Sequence, residues 1–143
     1  MIRTCGAAFM AAFALAGGAA LAQEETLASI LAKGAKRMSA EEAKAALTSG
    51  QLQGPFFRGE WLILRYRADG SMNGWTPTNG MLFDGDWTID ARGMQCMTYY
   101  LENNFSESLC RLWYRLGDVL YVLESESDVD RTQPVYKRTV TGR

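Results

Sequence analysis

Two methionines and two cysteines lie close together in GMQCMTYYLENNFSESLC, residues 93–110. Sulfur is a soft ligand, so Met94, Cys96 and Met97 could hold Cu(I). The same spacing also suits a disulfide. If the segment is a hairpin centred on the first Asn of its Asn-Asn pair, Cys96 lies directly opposite Cys110, at a Cα separation of about 4.5–5.5 Å that a disulfide accepts. Because Met97 points to the other strand face and the chain lacks histidine, we predict the disulfide Cys96–Cys110 and no metal site.

The absence of histidine restricts the chemistry available to an enzyme. Ser-His-Asp and Cys-His catalysis are excluded, as are zinc sites that use imidazole. Carboxylates remain, and the densest run is ESESDVD, which contains Glu124, Glu126, Asp128 and Asp130. On a strand these four would share one face and suit Ca²⁺ or acid–base work. A solvated acidic strand end and loop is the favoured interpretation, so we predict no catalytic residue, no cofactor and no enzyme activity.

Tryptophans and arginines that alternate along predicted strands are the candidates for binding. In a small barrel, alternate residues point inward and either fill the interior or surround one small ligand. A plain core is the favoured interpretation of most aromatic residues. The alternative is an apolar pocket with arginines at its mouth, suited to an anionic amphiphile, or a surface for a protein partner. The candidate ligand or partner surface comprises Trp61, Arg65, Arg67, Trp75, Trp87, Arg111, Trp113 and Arg115.

The elements that must position these residues fall into two regions. Residues 23–50 predict a helical lead-in of two short helices or one kinked helix. Ser39 and Glu42 form a capping-box pattern that begins the second helix. Residues 51–143 are rich in aromatic and β-branched residues separated by turn signals, including Asp84-Gly85 between the predicted strands MLF and DWTID. We predict a mainly β domain, an antiparallel meander of about seven to eight strands that closes into a small lipocalin-like barrel or a compact sandwich.

Residues 1–22 have the pattern of a cleaved Sec-type signal peptide. Arg3 precedes an uncharged stretch, and Ala20-Leu21-Ala22 is a small-x-small cleavage site. Cleavage after Ala22 would change the net charge from −1 to −2, because only Arg3 is lost. We expect one periplasmic or secreted domain without a transmembrane anchor. So balanced a charge predicts no nucleic-acid partner, and an oxidising compartment favours the disulfide.

Two resemblances follow from these motifs. Gly59-Glu60-Trp61 opens the first long strand after a helical lead-in and resembles the Gly-x-Trp signature of lipocalins and avidin-type barrels; Gly85-Asp86-Trp87 repeats it. Over residues 39–140, the order SAEEAKAAL, YRADGSMNG, GDWTID, GMQC and LCRLWYR is similar to uncharacterised small secreted proteins of rhizobia and related α-proteobacteria. That family implies export and a β-rich domain, and it assigns no catalytic or binding residues.

Three functional hypotheses remain, favoured in the following order. The first is an exported binding module for a small apolar or anionic amphiphile. The second is a periplasmic interaction or inhibitor protein, which would present an exposed apolar patch of several hundred Å². The third is a carboxylate-based enzyme, which needs two converging acids in a cleft. Whether the inward residues fill the barrel separates the first hypothesis from the others.

Overall fold

The computed structural model describes residues 24–55, 59–101 and 105–142. The predicted signal peptide and the tip of the two-cysteine hairpin lie outside these residues. The described part contains helices α1 (Leu27–Ala32) and α2 (Ala40–Leu47) and nine strands. The strands are β1 (Lys36–Arg37), β2 (Gln51–Pro55), β3 (Trp61–Tyr66), β4 (Ser71–Thr76), β5 (Met81–Ile89), β6 (Met94–Tyr100), β7 (Ser106–Leu116), β8 (Val119–Leu123) and β9 (Tyr136–Thr141).

Strands β2 to β9 form a closed antiparallel barrel. Each pairs with the next along the chain, and β9 closes the ring by pairing with β2. The short strand β1 adds to β7 outside this ring. Closure leaves the eight strands without open edges, which explains how so many short strands avoid unpaired backbone groups. The prediction of a mainly β domain whose antiparallel meander closes into a small barrel is confirmed.

The two-cysteine hairpin has the predicted register. Cys96 on β6 pairs with Cys110 on β7, and a disulfide joins the two residues. Because the two sulfur atoms are bonded to each other, neither cysteine is a thiolate that could bind Cu(I) together with Met94 or Met97. This bridge ties two neighbouring barrel strands together on the outside of the sheet.

The predicted turn at Asp84-Gly85 is wrong, because β5 runs without interruption through both residues. Gly85 instead permits a close approach between β5 and β6. A Cβ at this position would lie 2.9 Å from the Cα of Tyr99, closer than real side chains come to a neighbouring backbone. A glycine inside a strand marks such a close approach as well as it marks a turn.

Helix α2 closes one end of the barrel. Its first turn has the predicted capping box, in which the amide of Glu42 donates to Ser39 Oγ at 3.2 Å and the amide of Ser39 donates to the Glu42 carboxylate at 2.8 Å. Ala43, Ala46 and Leu47 are buried against the interior side chains of the barrel. The α2 end is therefore sealed by apolar contacts.

Helix α1 packs on the outer face of the barrel. Leu27 and Ile30 are buried in a second apolar cluster with Leu112, Tyr114 and Tyr121 from β7 and β8. The N-terminal turn is held by a capping box between Thr26 and Ser29. Neither described helix is long and apolar enough to cross a membrane.

Candidate ligand site inside the barrel

The half of the barrel next to α2 is filled by side chains. Tyr66 and Trp87 meet edge to face at 5.3 Å between ring centroids, and the Trp87 indole donates to the Arg67 carbonyl at 2.9 Å. These residues belong to one buried cluster with the α2 side chains. Trp87 and Trp113, both candidates from the sequence, lie in this interior. The other inward residues of this half include Leu52, Leu64 and Met72.

Two arginines lie deep in the interior, near the middle of their strands. Arg111 on β7 is 0% exposed and Arg138 on β9 is 1% exposed. Arg111 Nη2 lies 3.2 Å from Glu124 Oε1 and donates to Oε2 at 3.4 Å. Arg138 Nη1 donates to the carbonyl oxygens of Pro55 and Lys137. Each guanidinium is thus held from one side by the barrel itself.

Several donors of these guanidinium groups have no hydrogen-bond partner among the described residues. They are Nε and Nη1 of Arg111 and Nε and Nη2 of Arg138. Gln95 Nε2 and one acceptor, Glu124 Oε1, also have no hydrogen-bond partner in this part of the chain. Leaving a buried donor unpaired costs about 1–3 kcal/mol, and more when the group is charged. Buried polar groups in native proteins are nearly always satisfied. Five unpartnered donors against one unpartnered acceptor leave this interior short of groups that accept hydrogen bonds.

The neighbouring strands hold both side chains in place. A Cβ on Gly54 would lie 3.0 Å from Arg138 Nη1, so a glycine on β2 is what lets the guanidinium lie against that strand. Arg111 pairs with Gln95 across the β6–β7 ladder. The Trp113 indole donates to Gln95 Oε1 at 3.3 Å, and the Gln95 amide lies beside the Tyr66 hydroxyl. We call Tyr66, Gln95, Arg111, Glu124 and Arg138 the interior cluster.

The electrostatics of the interior cluster are those of a cationic site with one counter-ion. Burial, followed by repulsion from Arg111, lowers the pKa of Arg138 to about 10, so the side chain stays charged at neutral pH. Burial also raises the pKa of Tyr66, which keeps its hydroxyl neutral. That hydroxyl lies 3.5 Å from Met97 Sδ. Glu124 is the only carboxylate paired with a buried arginine in the described part of the chain.

Beyond the interior cluster lies the end of the barrel opposite α2, which we call the far end. Pro55 ends β2 there, Tyr136 begins β9 and Glu124 follows β8. Partly buried apolar side chains line this end and pack against the core: Tyr99, Leu101, Leu109 and Tyr136. The Tyr99 hydroxyl donates to Glu107, and burial together with that carboxylate raises the pKa of Tyr99. At the far end, an apolar rim thus adjoins a charged interior.

The other residues predicted from the sequence lie on the outside. Trp61 and Trp75 are both 44% exposed, and Arg65 on β3 and Arg67 directly after it are also exposed. Arg115 is exposed near the start of α2. The structure therefore separates the eight candidates into three interior residues, Trp87, Arg111 and Trp113, and five surface residues.

Some of the surface residues form a continuous apolar strip. Ile63 pairs with Trp75 across β3 and β4, and Trp75 pairs with Leu82 across β4 and β5. Trp61 lies two residues before Ile63 on the same face. Leu82 is 59% exposed. We call Trp61, Ile63, Trp75 and Leu82 the outer row.

The acidic run disperses after β8 and forms a loop, as the solvated-loop interpretation expects. Glu124 turns to Arg111, whereas Asp128 accepts a hydrogen bond from the Tyr114 hydroxyl at 2.8 Å and pairs with Arg37 at 3.2 Å. Asp130 accepts bonds from Thr132 in its own turn. Within the described ranges, no group of three or more Asp, Glu, Cys or His side chains could hold a metal ion.

Arg138 and Gln95 were not among the candidates from the sequence. A signal for Arg138 was present, because it alternates with Tyr136 and Val140 on one face of the last strand. An arginine between two apolar residues of an inward face is a buried charge. Gln95 carries no such signal.

Comparisons with protein-family models, with curated proteins and with solved structures found no match to this chain.

Proposed function

We propose that this protein is an exported binding module whose barrel holds an amphiphile with an anionic head group. The observation that carries the proposal is the set of unpartnered guanidinium donors of Arg111 and Arg138 in the barrel interior. Export is supported by the signal-peptide pattern of residues 1–22 and by the disulfide, which is typical of oxidising compartments.

The head group would bind between the two arginines. An oxyanion there accepts charge-assisted hydrogen bonds, which are shorter and stronger than neutral ones. The unpartnered nitrogens are buried, so the same bonds are worth more there than they would be at the surface. The ligand supplies the acceptors that the chain does not, and the favourable free energy of binding comes largely from removing unpaired buried charge.

The apolar part of the ligand would extend toward the far end. Tyr99, Leu101, Leu109 and Tyr136 offer apolar surface there, whereas the α2 half is filled and sealed. Ligand pockets of this kind combine mostly apolar walls with a few placed polar groups that fix orientation. A head-inward orientation follows, because the charged donors lie deeper than the rim.

Native mass spectrometry and calorimetric titration of the mature chain, residues 23–143, test this function. We expect a one-to-one complex with dodecanoate or with dodecyl phosphate, and at least about tenfold weaker binding by Arg138→Met. Arg65→Met is the matched control, because it removes the same charge from the outer face of β3 and should bind as the wild type does. Failure of both ligands to bind, or equal losses in the two variants, would refute the proposal.

A second candidate function, docking on an exported or envelope protein, is favoured by the outer row. Exposed aromatic residues beside arginines are typical of protein interfaces, and Arg65 lies in the same groove as Trp75 and Leu82. A photo-crosslinking amino acid at position 82 tests it in cells. A discrete crosslinked partner that Trp75→Ala removes would support docking, and the absence of any adduct would argue against it.

A further inference from the structure

We propose that the interior cluster selects a singly charged carboxylate head group over a doubly charged phosphate, and that Glu124 sets this selectivity. The inference rests on the proposed function, since it names the class of amphiphile that the barrel binds. It depends on the number of charges in the interior and on the unoccupied edge of the Arg138 guanidinium.

The charge of the interior cluster matches one negative charge. Arg111 and Arg138 contribute two positive charges, and Glu124 contributes one negative charge. Tyr66 and Gln95 are neutral, so the cluster carries one net positive charge. A carboxylate head group brings this sum to zero. A phosphate monoester with two negative charges would leave an uncompensated charge in a region shielded from water, which is unfavourable.

The free edge of Arg138 fits the two oxygens of a carboxylate. Nε and Nη2 lie side by side on one edge of a guanidinium, and in Arg138 both are unpartnered. Two parallel N–H donors bind a carboxylate in a bidentate manner. The remaining nitrogen, Nη1, is fixed by the carbonyl oxygens of Pro55 and Lys137. These bonds set the plane of the Arg138 guanidinium and leave the edge with Nε and Nη2 unoccupied in the barrel interior.

Arg111 is held differently. Its Nη2 lies against the Glu124 carboxylate, and its Nε and Nη1 are unpartnered. Because Nη2 carries two N–H bonds, the hydrogen bond to Glu124 uses only one of them, and Arg111 can still donate to a ligand beside Arg138. Glu124 therefore acts through its charge: it removes one unit of positive charge beside the ligand, and this disfavours a dianion.

Titration of the mature chain with three ligands of equal chain length tests the inference. Dodecanoate, dodecyl phosphate and dodecanol are compared at pH 8, where the phosphate carries close to two charges. We expect the wild type to bind dodecanoate at least about tenfold more tightly than dodecyl phosphate, and dodecanol weakly. Glu124→Gln keeps the shape of the side chain and removes its charge, so we expect the ratio of the two affinities to fall by about tenfold or more.

Two control variants separate the role of Glu124 from a general loss of structure. Glu124→Asp retains the charge, and Glu126→Gln removes a charge from an exposed loop position two residues away. Both should keep the wild-type preference. Equal affinity of the wild type for carboxylate and phosphate, or equal shifts in Glu124→Gln and Glu126→Gln, would overturn the selectivity while the proposed function stands. Binding of neither anion would overturn both.

Discussion

Replacing Arg138 with methionine should stabilise the ligand-free protein. The side chain is a buried charge with two unpartnered donors. Lowering its pKa from 12.5 to about 10 corresponds to a penalty on the order of 3 kcal/mol for the charged form, at about 1.4 kcal/mol per pH unit. Methionine removes this penalty and fills the same space with apolar atoms. Substitution of buried ions by apolar residues of similar volume often stabilises proteins by about 1–4 kcal/mol.

The hydrogen bonds of Arg138 reduce the gain without reversing it. Its Nη1 donates to the carbonyls of Pro55 and Lys137, and hydrogen bonds to charged groups contribute about 1.5–3 kcal/mol. Pro55 is exposed, so water replaces the lost donor at its carbonyl and part of that contribution is recovered. We therefore expect the free energy of unfolding of Arg138→Met to rise by about 1–3 kcal/mol, while binding of the anionic ligand is lost.

Arg111→Met is the matched variant, and we expect it to lower the free energy of unfolding, whereas Arg138→Met raises it. Removing Arg111 leaves Glu124, whose side chain is 19% exposed, without its partner. Breaking a buried pair by removing one member costs about 3–5 kcal/mol, and the partial exposure of Glu124 places the loss at the lower end. The two buried arginines thus differ in stability effect although both contribute to the proposed ligand site.

Urea denaturation of ligand-free protein at pH 7, followed by the fluorescence of the buried Trp87 and Trp113, measures both effects. The protein is purified with an unfolding and refolding step so that no ligand is carried over. A decrease of more than about 2 kcal/mol for Arg138→Met, or equal decreases for the two variants, would show that Arg138 is a structural residue. Either result would contradict its assignment as a ligand-binding group.

Three further predictions concern the framework of the site. Gly74→Ala should lower the free energy of unfolding by about 1–3 kcal/mol through overpacking, because the added Cβ would lie 2.7 Å from Phe83 Cε2 and 2.8 Å from Leu64 Cδ2. Adding Phe83→Leu to this variant should recover part of the loss, as measured by urea denaturation. No recovery would contradict the steric explanation. The double variant Cys96→Ser and Cys110→Ser should lose about 3 kcal/mol of the free energy of unfolding, the value expected for a disulfide-closed loop of this length. A reductant should destabilise the wild type and leave the double variant unchanged. A reductant effect on the double variant would exclude the disulfide as the cause. Asp128→Asn should destabilise the protein at pH 7, because the Tyr114 hydroxyl, and to a smaller extent Arg37, lower the pKa of this carboxyl in the folded state. The stabilisation by Asp128 is present above the ordinary Asp pKa and is lost as the pH falls through the lowered pKa of the folded state. In acid denaturation, the free energies of unfolding of the wild type and the variant should therefore converge. A difference that persists at low pH would refute this explanation.

The fold followed from local patterns in the sequence. The capping box at Ser39 and Glu42 placed α2, and the spacing of Cys96 and Cys110 defined the β6–β7 register, because both patterns depend on a few neighbouring residues. Alternation along each strand placed the rest. Gly85 was misjudged because a glycine in a close strand contact has the same sequence signature as a glycine in a turn. Only the position of the neighbouring strand distinguishes the two.

The interior cluster was much less accessible to prediction. Arg111 and Glu124 are 13 residues apart in sequence, and Arg138 reaches Pro55 across 83 residues. Which face of β7 points inward follows only once the barrel closes. Trp61 and Trp75 look as suitable for an interior as Trp87 and Trp113 do, and strand register alone puts one pair outside and the other inside. The sequence predicted arginines beside an aromatic pocket, but the buried pair and its counter-ion needed three-dimensional contacts.

The most direct test of the ligand site is the NMR spectrum of the arginine Nε–H groups of the mature protein, titrated with dodecanoate. Buried guanidinium N–H groups exchange slowly with water, and their signals are assigned by their loss in Arg111→Met and Arg138→Met. We expect the Nε–H resonances of both arginines to shift and to saturate at one equivalent, while the exposed Arg65 is unaffected. Binding that leaves both resonances unmoved, or no binding at all, would contradict the assignment of the barrel interior as an anion site.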